Sequence, residues 1–176
     1  MCGLRGRCGP RRTVAGRIRM QRDRNPLAAF EEFVELWQRL LAEAETPGTA
    51  IVVEGERDRR AVRRLGWTGP VAVVHRGRSL SATAQALVEG SRRVIVLTDW
   101  DTEGGVLARR LREFLEAGTV GLDLEYRRRL ARTLRGELVH VEGLYGWARR
   151  TAERLGVPLE TVVVPAGRAD DRTPTG

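Results

Sequence analysis

Two short apolar segments of this chain end in acidic residues. Residues 51–53 lead directly into Glu54-Gly55, and residues 94–98 lead into Asp99-Trp100-Asp101. Segments that are apolar throughout and separated by helical patterns indicate parallel strands covered on both faces. Ligands of such sheets bind at the carboxyl ends of the strands. We therefore expect both acidic clusters to meet at one edge of a parallel sheet.

Strand and helix patterns alternate around these segments. Strands are predicted at residues 50–53, 71–74, 94–98 and 138–141, with a short edge strand at 161–164. Helices are predicted at residues 57–65, 80–88, 102–117, 124–135 and 144–155. Another helix begins after Asn25 and Pro26, which suit an N-cap and a first helical position. The predicted fold is α/β, a doubly wound parallel sheet of about four strands with helices on both faces, plus an N-terminal helix.

Composition divides the chain into four parts. Residues 1–24 form a basic arm with eight arginines and one aspartate, which supplies seven of the eight net positive charges. Residues 25–48 carry the N-terminal helix, residues 49–164 the α/β domain with a C-terminal helical extension, and residues 165–176 a polar tail. We expect the arm and the tail to be disordered. The arm is either a plain tail, sequence upstream of a start at Met20, or a segment that docks on phosphates.

Several classes of protein are excluded by composition. Cys2 and Cys8, the only cysteines, lie in the arm without nearby histidines, so no zinc site is predicted and a reducing cytoplasm fits. All 31 basic residues are arginines, so a phosphate-binding-loop lysine is absent. No apolar run approaches the roughly 20 residues of a membrane span. No glycine-rich dinucleotide loop follows the first strand, so we expect neither a membrane nor a nucleotide cofactor as partner.

Carboxylates gathered at one sheet edge repel one another and raise each other's pKa values. A divalent cation relieves that repulsion, and Mg²⁺ prefers oxygen ligands from carboxylates, waters and phosphates. Because they precede a helix, Asp99, Asp101 and Glu103 also suit helix N-capping, and one of them is expected to serve only as a cap. His75 and His140 are isolated in the sequence, and we interpret them as ordinary strand-end histidines rather than metal ligands.

A strand ending in Glu-Gly, followed by a later strand ending in Asp-x-Asp, resembles the Toprim domain. This domain is shared by type IA and type II topoisomerases, bacterial primases, M5-type ribonucleases and old-family nucleases. The resemblance covers residues 49–120 and extends toward residue 142. The short chain and its arginine-rich helix are also similar to small stand-alone Toprim proteins of archaea. By this resemblance Glu54 is both a general acid/base and a metal-associated residue, Asp99 and Asp101 are Mg²⁺ ligands, Glu103 is a further ligand, and two ions bind per subunit.

The resemblance implies phosphoryl-transfer chemistry on nucleic acid, either RNA or DNA. The leading hypothesis is a small Mg²⁺-dependent nuclease of the M5 type. The alternative is a Toprim module that binds nucleic acid or a protein partner without turnover. A complete topoisomerase does not fit so short a chain, and a haloacid-dehalogenase-type phosphatase would need a later lysine. Predicted nucleic-acid contacts, which are also interpretable as ordinary surface arginines, are Arg57, Arg76, Arg78, Arg127 and Arg128.

Overall fold

A computed structural model describes residues 25–75, 77–118 and 120–163, and within them the chain forms one sheet of four parallel strands. The strands are β1 (Thr49–Val53), β2 (Val71–Val73), β3 (Arg93–Val96) and β4 (Gly121–Asp123). Their order across the sheet is β2-β1-β3-β4. Ile51 pairs with Val71 on one side and with Ile95 on the other. The predicted α/β parallel sheet is confirmed.

Helices cover both faces of this sheet. They are α1 (Pro26–Glu43), α2 (Glu56–Arg64), α3 (Leu80–Gly90), α4 (Thr102–Glu116), α5 (Glu125–Thr133), α6 (Leu144–Leu155) and the short α7 (Glu160–Val163), with a single 3₁₀ turn at Val141–Gly143. One core lies under α1, α2, α5 and α6, and the other lies under α3 and α4. Successive strand residues point alternately into these two cores. All five residues of β1 are therefore buried.

The strand order creates one position where the chain changes direction across the sheet. The chain passes from β1 to β2 through α2 on one face, then crosses back over β1 through α3 on the other face to reach β3. These opposite faces are what right-handed crossovers require. The carboxyl ends of β1 and β3 are thus neighbours at the switch point, where open α/β sheets bind ligands.

The N-terminal helix closes the larger core. Asn25 caps it through a 3.0 Å hydrogen bond from Leu27 N–H to its side-chain oxygen, as predicted, and Pro26 occupies the first turn. Trp37 is fully buried and donates its indole N–H to the carbonyl of Leu65 at 2.9 Å. Leu27 itself is exposed, so the buried stripe begins at Phe30.

Two predicted strands are wrong. Residues 138–141 form a loop that leads into the 3₁₀ turn, and Val139, which suggested a strand, is 47% exposed. The fourth strand is instead β4, whose three residues are too few and too polar to show an alternating pattern. Residues 161–163 of the predicted edge strand belong instead to α7, in which Val162 packs into the core. The predictions for residues 1–24, Arg76 and residues 164–176 lie outside the described residues.

Among the residues described, no helix has the length and apolar character needed to cross a membrane.

Candidate metal centre

Glu54 leaves the sheet at the end of β1 and reaches across to the end of β3. Its Oε1 accepts a hydrogen bond from the backbone N–H of Asp99 at 2.9 Å. The side chain is half-buried, and this burial raises the pKa of Glu54 above its ordinary value. The hydrogen bond from Asp99 lowers the pKa in part, whereas the nearby carboxylates of Asp99, Asp58 and Asp101 raise it further. The sheet edge thus carries the electrostatic crowding expected from the sequence.

Both carboxylate oxygens of Asp99 face the segment that follows α5. Oδ1 accepts a hydrogen bond from Val141 N–H at 2.7 Å, and Oδ2 lies 2.7 Å from Nδ1 of His140. An ionised carboxylate offers about four lone-pair sites. Asp99 is therefore held in a fixed orientation by two contacts while lone pairs remain for a cation.

Asp101 is the N-cap of α4. Its Oδ1 accepts the N–H of Gly104 at 2.8 Å, which is the capping role considered for one acidic residue of this run. Its Oδ2 lies 3.8 Å from Nδ1 of His140 and points to the same side as Asp99. Capping uses only one oxygen, so the cap and ligand interpretations of Asp101 are compatible.

One group of three side chains in the described part of the chain can converge on a metal ion. It consists of Asp99, Asp101 and His140, whose candidate ligand atoms all lie within 4.8 Å of one another. Neither Glu54 nor Glu103 belongs to this group. Glu103 is exposed on the first turn of α4, where it joins Glu54 in lining an adjacent cleft of about 300 Å³. The structure therefore brings Asp99 and Asp101 together, with Glu54 bonded beside them and Glu103 further out.

His140 is the residue that sequence reasoning missed. Trp100 positions it, because the backbone N–H of Trp100 donates to the carbonyl of Val139 at 3.0 Å and its indole N–H donates to the carbonyl of Leu138 at 2.6 Å. The hydrogen bond with Asp99 raises the pKa of His140. The available signal was its place at the end of a predicted strand. Residues 138–141 do not form a strand, but this segment does end at the acidic edge of the sheet.

Arg127 lies behind the acidic loop rather than on an open surface. Its Nε donates to the carbonyl and the hydroxyl of Thr98 at 3.1 and 2.9 Å, and its Nη2 donates to the carbonyl of Asp99 at 2.5 Å. Burial lowers the pKa of Arg127, while the carboxylates of Glu54, Asp101 and Asp99 oppose that effect. Arg127 therefore fixes the backbone that carries Asp99 and supplies a half-buried positive charge beside the carboxylates.

Asp58 adds a further carboxylate beneath the site. It is 6% exposed and accepts the N–H of Gly55 at 2.8 Å, so it caps the start of α2. Burial raises the pKa of Asp58, and the carboxylates of Asp99 and Glu142 contribute to the increase. The sequence prediction placed Asp58 within a helix and did not connect it with the site.

The other predicted phosphate-binding arginines lie at separate places. Arg57 is exposed and forms a long ion pair with Glu142 at 3.8 Å. Arg78 lines a cavity of about 570 Å³ between β2 and α3. Arg128 is exposed on α5. Roles for these arginines in nucleic-acid binding stay predictions.

Gly104 allows the two acidic clusters to approach each other. A Cβ at this position would lie 2.0 Å from the carbonyl oxygen of Asp99 and 2.8 Å from Oε1 of Glu54. The first distance is impossible without moving the backbone. Only glycine therefore permits this packing of α4 against the ends of β1 and β3.

Comparison with known proteins agrees with this arrangement. A UPF0292 protein of Methanosarcina acetivorans is 32% identical over 120 residues, which cover 68% of this chain and 83% of the relative. A UPF0292 protein of Thermococcus gammatolerans is 35% identical over 117 residues, which cover 66% and 84%. The sequence model of the Toprim domain matches residues 49–133. The chain belongs to the Toprim-domain UPF0292 family. Toprim domains typically bind Mg²⁺ through acidic residues and generally act on nucleic acids.

A solved structure supports the fold. A protein from Aquifex aeolicus superposes with a TM-score of 0.53 at 23% identity, covering 61% of this chain and 94% of that one. The matched Toprim segment ends at residue 133, so His140 lies beyond it.

The donor set fits Mg²⁺. Oε2 of Glu54 and Oδ2 of Asp101 accept no hydrogen bond from any described residue. Hard carboxylate oxygens are the ligands that Mg²⁺ prefers, whereas imidazole suits softer transition metals. Asp99 and Asp101 would therefore hold the ion, with Glu54 beside them. His140 would donate its Nδ1–H to Asp99 and so orient that ligand.

Replacing Gly104 with alanine is expected to destabilise the protein by about 1–3 kcal/mol, because the new Cβ overlaps the backbone of Asp99. Urea unfolding measures the effect. Gly105→Ala is the matched control, since its Cβ meets only Arg127 at 3.8 Å and alanine is the better helix former by about 1 kcal/mol. Equal stability of the two variants would contradict the close approach described for position 104.

The Glu54→Gln variant is expected to melt at a higher temperature than the wild type at pH 7 without divalent metal. The pKa of Glu54 is higher in the folded than in the unfolded protein, where it is near 4.5. The Glu54 side chain therefore contributes to the stability of the folded protein at pH values below its unfolded pKa. This contribution is lost as the pH rises through the folded pKa and the buried carboxylate becomes charged. Glutamine carries no charge and can still accept the Asp99 N–H. The difference should close toward pH 4.5.

Exposed Glu45→Gln serves as the control for charge removal and should leave the melting temperature unchanged at either pH. A metal-free Glu54→Gln variant that is less stable than the wild type at pH 7 would show that the carboxylate is not crowded.

Replacing His140 with alanine is expected to weaken Mg²⁺ binding roughly 10–100-fold, because Asp99 loses the partner that orients its Oδ2. Calorimetric titration of the metal measures the change. His75→Ala is the natural comparison, because His75 is the only other histidine and is also exposed. If both variants bind Mg²⁺ as tightly as the wild type, His140 has no orienting role.

Proposed function

We propose that this protein is a Mg²⁺-dependent nuclease, similar to the M5-type enzymes, that cleaves structured RNA. One observation carries the proposal. Glu54 at the end of β1 is bonded directly to the start of the Asp99–Asp101 loop at the end of β3. A proton-transfer group and two oxygen ligands are thus held together at the switch point of the sheet.

Glu54 is the proposed catalytic residue. One of its oxygens is fixed by Asp99 N–H, and the other accepts no hydrogen bond from any described residue. A raised pKa suits a general base, because a carboxylate of higher pKa takes a proton more readily near neutral pH. Glu54 accepts a proton from the attacking water as the water oxygen bonds to phosphorus. The bond from phosphorus to the leaving oxygen breaks, and that oxygen takes up a proton from solvent water.

Asp99 and Asp101 are the proposed ligands for up to two Mg²⁺ ions, with Glu103 further out on α4. When bound, Mg²⁺ neutralises charge on phosphate oxygens and lowers the pKa of bound water. Arg127 holds the loop backbone in place through Thr98 and Asp99. A cytoplasmic location, which rests on cysteine usage, stays a prediction.

Cleavage of labelled structured RNA and single-stranded DNA, in Mg²⁺ and in EDTA, tests the proposal. We expect Mg²⁺-dependent cleavage of the RNA that falls about 10²–10⁴-fold in Glu54→Gln, the range attributed to a general base. The double variant Asp99→Asn/Asp101→Asn should lose both cleavage and calorimetric Mg²⁺ binding. Cleavage of DNA alone would change the proposed substrate.

Binding without cleavage would contradict the nuclease proposal. If the wild-type protein binds Mg²⁺ and RNA but cuts neither polymer, the nuclease proposal is wrong, and the protein acts as a binding module. Melting temperatures of all variants show whether each loss comes from the site or from unfolding.

A further inference from the structure

A basic groove lies between α4 and α5 at the β4 edge of the sheet. We use this name for the cavity of about 230 Å³ that is lined by Arg109, Arg112, Arg127, Arg128 and three uncharged residues, Gly105, Ala108 and Leu124. None of these lining residues is acidic. A second cavity of about 390 Å³ shares Arg112, Leu124 and Arg128 with the groove, but it is also lined by the carboxylates of Glu116, Asp123 and Glu125. The groove thus gathers arginines from two helices that cover opposite faces of the sheet.

Two of the four arginines in the groove form only long ion pairs, and a third has no partner among the described residues. Arg109 forms no ion pair or hydrogen bond with any described residue. The nitrogen–oxygen distances from Arg112 to Glu116 and from Arg128 to Glu125 are 3.7 and 3.6 Å, beyond the usual hydrogen-bond range. Such exposed pairs contribute little. The groove therefore offers several guanidinium groups to an anion.

Arg112 provides a further sign that a ligand is expected. Its Nε is buried, yet it has no hydrogen-bond partner in the described part of the chain. This nitrogen lies 3.7 Å from Oε1 of Glu116, too far for a hydrogen bond, so it lacks the acceptor that buried polar atoms normally have. An anion in the groove would supply that acceptor.

Arg127 links the groove to the loop that carries the candidate metal centre. Arg127 directs Nε and Nη2 to the Thr98–Asp99 backbone, while its Nη1 donates no hydrogen bond to any described residue. Gly105, the next residue after Gly104, lies at the groove, where a Cβ would come within 3.8 Å of Arg127. One arginine therefore borders both the acidic loop and the basic groove.

We infer that the basic groove binds backbone phosphates of the nucleic-acid chain that passes the metal centre. The identity of the polymer rests on the proposed function. Guanidinium groups recognise phosphate oxygens through paired hydrogen bonds. The cavity volume is about eight times the roughly 30 Å³ that one water occupies in the liquid, which is room for a hydrated phosphodiester. The groove holds the nucleic-acid chain on the α4–α5 side of the acidic edge.

Fluorescence anisotropy with a 3′-labelled single-stranded RNA, in EDTA and over a series of salt concentrations, tests this inference. The variant is Arg109→Gln/Arg112→Gln. The control is Arg150→Gln/Arg154→Gln, which removes the same charge from exposed positions of α6 on the other face of the sheet. We expect the slope of log affinity against log salt to fall by about 1.4 in the groove variant, at ~0.7 per lost phosphate contact. The control should keep the wild-type slope.

An equal decrease in both variants, or no decrease in either, would overturn the inference, because binding would then reflect overall charge or another surface. If the double variant melts at a lower temperature than the wild type, Arg109→Gln alone replaces it, since Arg109 has no partner to lose among the described residues. Its expected decrease in slope is about 0.7.

Two further binding measurements identify the source of the phosphate. RNAs with a 5′-hydroxyl and a 5′-phosphate should bind equally if backbone phosphates fill the groove. Binding that requires the 5′-phosphate would overturn the backbone assignment, and so would full displacement by an acidic peptide at charge-matched concentration. Because these measurements contain no metal, they are independent of catalysis. A wild-type protein that never cleaves RNA can still show the groove, and one that cleaves RNA can still lack it.

Discussion

A single hydrogen bond between neighbouring strand ends organises this protein. Oε1 of Glu54 accepts the N–H of Asp99, and the two residues are 45 positions apart in the chain. They meet only because β1 and β3 are adjacent in the order β2-β1-β3-β4. The crossover through α3 therefore does more than complete a sheet. It brings the second acidic cluster beside the first and leaves Gly104 as the one residue small enough to lie between them.

The site contains more buried charged groups than the stability of the fold requires. Glu54 and Asp58 both have raised pKa values because they are buried near other carboxylates. The half-buried guanidinium of Arg127 offsets part of this repulsion, and its hydrogen bonds to the Thr98–Asp99 backbone keep the loop in place. Such crowding at one sheet edge is typical of functional sites, where stability is given up for chemistry.

The parts predicted correctly from the sequence depend on local patterns. The apolar strands β1 and β3, the cap at Asn25, and the meeting of Glu54 with the Asp99 cluster follow from burial, capping and the geometry of parallel sheets.

The missed parts depend on contacts that no local pattern encodes. β4 has three residues and pairs only at the edge, so its sequence shows no periodicity. His140 reaches Asp99 from 41 residues away, and Arg127 reaches Thr98 from 29 residues away. Arg127 looked like one arginine among many on a charged helix. Its partners are two backbone carbonyls and the hydroxyl of Thr98, and no local sequence pattern encodes these contacts.

The anchoring of residues 138–140 by Trp100 also sets an order of assembly during synthesis. A ribosome releases the chain from its N-terminal end, so both acidic clusters emerge before the imidazole that orients one of them. At roughly 5–20 residues per second, the 41 residues between Asp99 and His140 correspond to about 2–8 seconds of translation. During that interval the nascent chain carries its carboxylates without their histidine, and the centre becomes complete only when the C-terminal segment arrives.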